Sequence, residues 1–119
     1  LVVEDERAIL HIIKTMLTKS GYTIIAAITP EEALAHVQKN PNAVDLVITD
    51  VIMPGMNGSE LVKVIRTYKK DIKYLYISGY TSDIISEKEG GEADTKINLL
   101  QKPFSVSDLC KKVREILDS

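Results

Sequence analysis

The chain is short of several things, and each shortage excludes a class of protein. Cysteine occurs once, at Cys110, so no internal disulfide can form and a disulfide-stapled secreted scaffold is excluded. A reducing, cytoplasmic setting is the simplest expectation, including the cytoplasmic part of a membrane-bound protein. No apolar run approaches the ~20 residues of a membrane helix, and no signal-peptide pattern is visible. An excess of one charge is also missing. Fifteen Lys and Arg face 17 Asp and Glu, for a net charge of -2 and a pI near 5.7. Charge alone therefore points to no nucleic-acid surface. Repeats, linkers and low-complexity tracts are absent as well. What remains is 119 residues, 45% hydrophobic and 27% charged, the composition of a single globular domain. A domain of this size buries about two-thirds of its unfolded surface without staples. Leu1 already lies in an apolar run, so residues 1–119 are read as one domain cut from a longer protein.

Five short apolar runs alternate with segments of helical periodicity. Leu1–Val3 reads as the end of a buried strand. From Arg7 to Ser20, Ile9, Ile12, Ile13, Met16 and Leu17 form a helical stripe, with Gly21 at the expected C-cap. Tyr22–Ala27 reads as a second strand. Thr29 and Pro30 then open a helix whose Ala33, Leu34 and Val37 face the core. Asp45–Thr49 is a third strand. A helix from about Gly58 to Lys70 turns Leu61, Val62, Ile65 and Tyr68 inward. Tyr74–Ile77 and Ile97–Leu100 complete the strands, and Ser105 or Ser107 caps a last helix with Val106, Leu109, Cys110, Val113, Ile116 and Leu117 on its core stripe. Cys110 is thus a buried core residue, and His11 and His36 fall on wet faces. The stretch Tyr80–Asp94, with Gly90-Gly91 and alternating Glu and Lys, reads as a loose loop or short helix. Parallel strands need crossovers of one hand. The pattern therefore predicts an α/β, flavodoxin-like (βα)5 fold: a doubly wound five-stranded parallel sheet in the order 2-1-3-4-5, in three α/β/α layers.

The chemistry gathers around Leu46-Val47-Ile48-Thr49-Asp50, a β-branched run that ends on a carboxylate. Pro54, Gly55, Asn57 and Gly58 then mark a tight loop. Ligands of open α/β sheets bind outside the carboxyl ends of the strands. In the predicted order those ends carry Glu4 and Asp5, Asp50, Ser78 and Lys102. Taken singly, each has an ordinary reading: Asp50 as a turn or N-cap residue, Glu4 and Asp5 as caps of the first helix, Lys102 as a solvated strand end. Taken together they place three carboxylates, a hydroxyl and an ammonium at one edge. The carboxylates repel unless a counterion joins them. A hard divalent cation with oxygen ligands, Mg²⁺ above all, answers that need and expects phosphate oxygens in its shell. The set suits phosphoryl transfer to a carboxylate, with Asp50 as nucleophile, Lys102 neutralising charge and Ser78 donating to an oxygen.

These pieces resemble the receiver domains of two-component response regulators. The resemblance spans essentially the whole chain and rests on Val2-Val3-Glu4-Asp5-Glu6, Asp50 through Gly58, Ser78-Gly79 and Lys102-Pro103-Phe104. It implies that Asp50 is the phosphoacceptor and that Mg²⁺ is held by Asp5, Asp50 and the backbone carbonyl of Ile52, with Glu4 in an outer role. Ser78 would be the switch hydroxyl and Lys102 the phosphate-pairing lysine. Tyr76–Asp83 and Leu100–Phe104 look most like receivers attached to hybrid sensor histidine kinases. The implied phosphodonor is a phosphohistidine on a histidine kinase or histidine phosphotransfer domain. No direct nucleic-acid contact and no membrane insertion by this domain are expected; a weak homodimer through the last helices is.

One departure from the family pattern matters. The position three before Lys102, aromatic in most of the family, is Leu99. With no ring to follow Ser78 inward, Tyr80–Asp94 is expected to be loose at rest and ordered by phosphorylation. Ile52 and Tyr80, flanking the path of a hydrolytic water, predict a long-lived phosphoryl group. The competing readings fare worse. A phosphorylation-independent pseudo-receiver usually lacks one of the acidic residues, the aspartate or the lysine, all present here. An aspartate-nucleophile phosphohydrolase needs a general acid where Ile52 stands. A flavin carrier of this fold needs free amides where Glu4-Asp5-Glu6 would repel phosphate.

Overall fold

A computed structural model describes residues 1–78 and 98–118. Its elements are β1 (Val2–Val3), α1 (Arg7–Lys19), β2 (Ala26–Ala27), α2 (Pro30–Lys39), a 3-10 turn (Pro41–Ala43), β3 (Leu46–Asp50), α3 (Gly58–Ile65), β4 (Lys73–Ser78), β5 (Leu99–Gln101) and α4 (Val106–Asp118). The five strands form one sheet in the order β2-β1-β3-β4-β5. Every pairing is parallel, which is the flavodoxin-like order expected. β3 lies at the centre, buried through its first four residues, because both of its faces are covered.

Successive strand residues point to opposite faces, and the two faces carry separate cores. On one, Val3, Val47, Ala33, Val37, Leu61 and Ile65 pack beneath α2 and α3. On the other, Val2, Ile48, Leu75 and Ile77 meet Leu10, Ile13, Leu17, Leu109 and Val113 of α1 and α4. Local chemistry sets the helix ends. Thr29 Oγ1 accepts from the Glu32 amide at 3.1 Å. Asn57 and Glu60 form a reciprocal capping box at the start of α3, and Ser105 Oγ accepts from the Asp108 amide at 3.0 Å. Gly21, at φ +98°, ends α1 in the left-handed region that glycine tolerates.

Several sequence expectations need correction. Ile12 is 48% exposed and Leu10 takes its place in the core; at helical pitch Ile12 lies almost opposite Leu10, Ile13 and Leu17. Helix α3 stops at Ile65, not near Lys70. Tyr68 therefore falls beyond the stripe and is exposed, its hydroxyl accepting from Gln38 Nε2 at 2.8 Å. Val106, first residue of α4, is exposed before the helix reaches the sheet. Cys110 is half-buried, 3.1 Å from Ser20 Oγ. β2 is shorter than expected, and β5 begins at Leu99. Tyr80–Asp94, including Tyr80 itself, and Ile97 lie outside the described residues.

Candidate functional site

The carboxyl ends of β1, β3, β4 and β5 converge as the strand order requires. Glu4 and Asp5 follow β1 directly, Asp50 closes β3, Ser78 closes β4, and Lys102 follows β5. One carboxylate oxygen from each of Glu4, Asp5 and Asp50 lies within 4.8 Å of the others. Lys102 Nζ stands 3.4 Å from Asp50 Oδ1 and 3.6 Å from Glu4 Oε1. The Lys102 amide donates to the Ser78 carbonyl at 2.8 Å, which ties the ends of β4 and β5 together. An open cleft of about 620 Å³ lies over this group, lined by Asp5, Glu6, Asp50, Ile52, Ser78 and Lys102 among others. All five side chains singled out in the sequence therefore meet at one place. Ile52 is at its rim, 55% exposed.

The two acidic neighbours differ in environment. Glu4 is buried, 1% exposed, whereas Asp5 is open to water. Neither caps α1, whose N-cap Glu6 makes no side-chain cap bond; instead Glu4 Oε2 accepts from the Glu6 amide at 3.1 Å. Burial pushes the Glu4 carboxyl up to about 7, helped by the Asp50 charge and opposed by the Glu6 amide and the Lys102 ammonium. Burial also raises Asp50, against the pull of Lys102. Both carboxyls are thus raised by burial, and the Lys102 ammonium opposes the rise in each. Burial pulls the Lys102 ammonium down, but the Asp50 and Glu4 carboxylates outweigh it and hold it above its ordinary range.

Two residues beside the site were read from sequence only as a loop residue and a strand residue. Gly58 opens α3 directly against β3: a Cβ there would overlap the Asp50 carbonyl oxygen, and its amide donates to the Val51 carbonyl at 2.8 Å. Only glycine permits that approach. The second is Thr49, whose hydroxyl reaches the Asp50 carbonyl at 3.0 Å. The eight-residue spacing between Asp50 and Gly58, just before a helical stripe, was the available signal for the glycine. Leu99, where the family has an aromatic ring, packs with Tyr74, Tyr76, Val51 and Val62. It lies opposite Tyr76 of β4 in the register.

As a donor set, three converging carboxylates with one ammonium fit a hard divalent cation such as Mg²⁺: oxygen ligands, a net negative charge and an open side to the cleft.

Comparison with known proteins agrees with this geometry. The family profile of the response regulator receiver domain matches residues 1–114. The sensor kinase CckA of Brucella abortus is 37% identical over 118 residues, covering 99% of this chain and 12% of that protein. The transcriptional regulatory protein YvrH of Bacillus subtilis is 37% identical over 115 residues, covering 96% of this chain and 46% of that protein. The chain thus spans less than half the length of either relative. Among solved structures, the receiver domain of the hybrid histidine kinase CckA superposes with a TM-score of 0.81 at 34% identity, covering 98% of this chain and 95% of that one. The Vibrio cholerae chemotaxis protein CheY4 gives 0.83 at 32%, covering 97% and 94%. The profile match, these similarities and the shared fold place the chain in the response regulator receiver domain family of two-component systems.

Proposed function

We propose that this receiver accepts a phosphoryl group from a phosphohistidine onto Asp50, in a two-component phosphorelay, and that the acylphosphate alters the surface it presents. The observation that carries this reading is the pairing of Asp50 with Lys102 at 3.4 Å beneath an open cleft. An Asp50 carboxylate oxygen attacks phosphorus. The N–P bond of the donor breaks, and its electron pair returns to the imidazole, which takes up a proton. Lys102 pairs with the negative oxygens of the transferring group, and Ser78 donates its hydroxyl to one of them. Asp5, Asp50 and the Ile52 carbonyl would hold Mg²⁺, with Glu4 behind them. The bound ion would supply positive charge against the phosphoryl oxygens.

The donor is a histidine kinase or histidine phosphotransfer domain. The setting is cytoplasmic, and similarity to CckA favours attachment to a hybrid sensor kinase. Among the described residues no helix is long and apolar enough to cross a membrane. Weak self-association through the last helix belongs to the same proposal and is read by sedimentation. Mixing the chain with a phosphotransfer domain carrying labelled phosphohistidine tests the central reading. Label should leave the histidine and appear on this chain only when Mg²⁺ is present; label that stays on the histidine rejects the donor class.

A further inference from the structure

Thr49 precedes Asp50 on β3 and is fully buried, 0% exposed. It ends a run whose other members, Leu46, Val47 and Ile48, are apolar. A hydroxyl in such a core costs free energy unless it is hydrogen-bonded. Here Thr49 Oγ1 donates to the Asp50 carbonyl at 3.0 Å, and its other polar neighbour is Met53 Sδ at 3.8 Å. The same carbonyl oxygen is closely approached by Gly58, where a Cβ would overlap it and would also crowd Thr49 Cγ2. At the far end of that peptide the Val51 amide donates to the Ile77 carbonyl at 3.0 Å. The Asp50–Val51 peptide is therefore gripped at its oxygen by Thr49 and α3, and at its nitrogen by β4. None of these holding atoms belongs to the carboxylates or the lysine of the cleft.

We propose that Thr49 is a positioning residue for phosphoryl transfer. Its hydroxyl anchors the peptide that follows the nucleophile and so narrows the range of positions open to the Asp50 carboxylate and to the turn carrying Ile52. A buried hydroxyl within an aliphatic strand is a local cost of the kind found where function demands placement. Small losses of placement slow group transfer far more than they weaken binding. The inference rests on Asp50 being the phosphoacceptor.

The test compares the parent chain with Thr49→Val and Thr49→Ser. Each is incubated with Mg²⁺ and phosphoramidate across a range of donor concentrations, and initial labelling rates are read by mass spectrometry. Thr49→Val should lower the maximal rate by roughly tenfold to a hundredfold, with the half-saturating donor concentration unchanged, while Thr49→Ser stays within about twofold of the parent. Should Thr49→Val melt too low to assay, Thr49→Ala against Thr49→Ser makes the same comparison of hydroxyl absent and present. A hydroxyl-free variant that labels at the parental maximal rate overturns the proposal, as does a serine variant no faster than the hydroxyl-free one. A parent that takes no label at all removes Asp50 as phosphoacceptor, and the role of Thr49 with it.

Discussion

Lys102 Nζ lies 3.4 Å from Asp50 Oδ1, and among the described residues no other side-chain cation is within ion-pair distance of that carboxylate. The lysine opposes the rise that burial gives the Asp50 carboxyl, and under the proposed function it would also pair with a phosphoryl oxygen. Lys102→Met removes both. We expect labelling by a small phosphodonor to slow by about tenfold or more, with the circular dichroism of the parent retained. Parental labelling in that variant would assign Lys102 to charge balance alone.

The buried Glu4 proton predicts a pH dependence of stability in metal-free protein. Its folded value, about 7, lies above the ordinary 4.5. The folded state therefore binds this proton more tightly than the unfolded chain. The contribution is fully present below pH 4.5 and disappears as the pH rises to about 7. Its size is on the order of 2 kcal/mol. In the presence of a chelator, the parent should lose stability relative to Glu4→Gln, read as denaturant midpoints, as the pH rises from 4.5 to about 7. A difference that does not vary with pH contradicts the assignment.

Asp5 differs from Glu4 in being open to the cleft, which suits a residue that meets an ion from solvent. Mg²⁺ should stabilise the parent by mass action, about 2.7 kcal/mol at a hundred times its dissociation constant. Asp5→Ala should lose most of that gain. It should also remove a repelling charge from Asp50, which Asp5 opposes, so the metal-free variant should melt no lower than the metal-free parent. Four thermal melts, two proteins with and without Mg²⁺, decide. A variant that gains as much as the parent from Mg²⁺ excludes Asp5 as a ligand.

Much of this arrangement was legible in the residues, because it follows from order along the chain. Apolar runs at Val2–Val3, Leu46–Thr49 and Tyr74–Ile77 mark strands covered on both faces. Once the strands are parallel, their carboxyl ends must share an edge, which brings Asp50, Ser78 and Lys102 together. What the residues do not carry is depth. Glu4 and Asp5 are adjacent and alike in type, yet Glu4 is buried just past the end of β1 and Asp5 is exposed in the bend that follows. That burial is what raises the Glu4 carboxyl. Thr49 read as one more β-branched strand residue, since pattern registers its shape and not where its hydroxyl points. Tyr68 read as core because its spacing fits a helix that in fact ends at Ile65.

Ile52 stands at the rim of the cleft, apolar and 55% exposed. Under the proposed function it would offer no base to a water approaching an acylphosphate on Asp50, and its bulk would hinder that approach. Ile52→Asn should therefore shorten the phosphoryl lifetime, by roughly threefold to tenfold, followed as loss of label after the donor is removed. An unchanged lifetime would assign the slow step elsewhere.

The central claim is that Asp50, and no other residue, forms the acylphosphate. The most direct measurement is to incubate the chain with Mg²⁺ and phosphoramidate, trap acyl phosphates by borohydride reduction, and map the modified residue by peptide mass spectrometry. The account predicts one Mg²⁺-dependent modification at Asp50, absent from a correctly folded Asp50→Asn variant. Modification at Glu4, Asp5 or any other carboxylate, or none in a folded, Mg²⁺-bound parent, would contradict it.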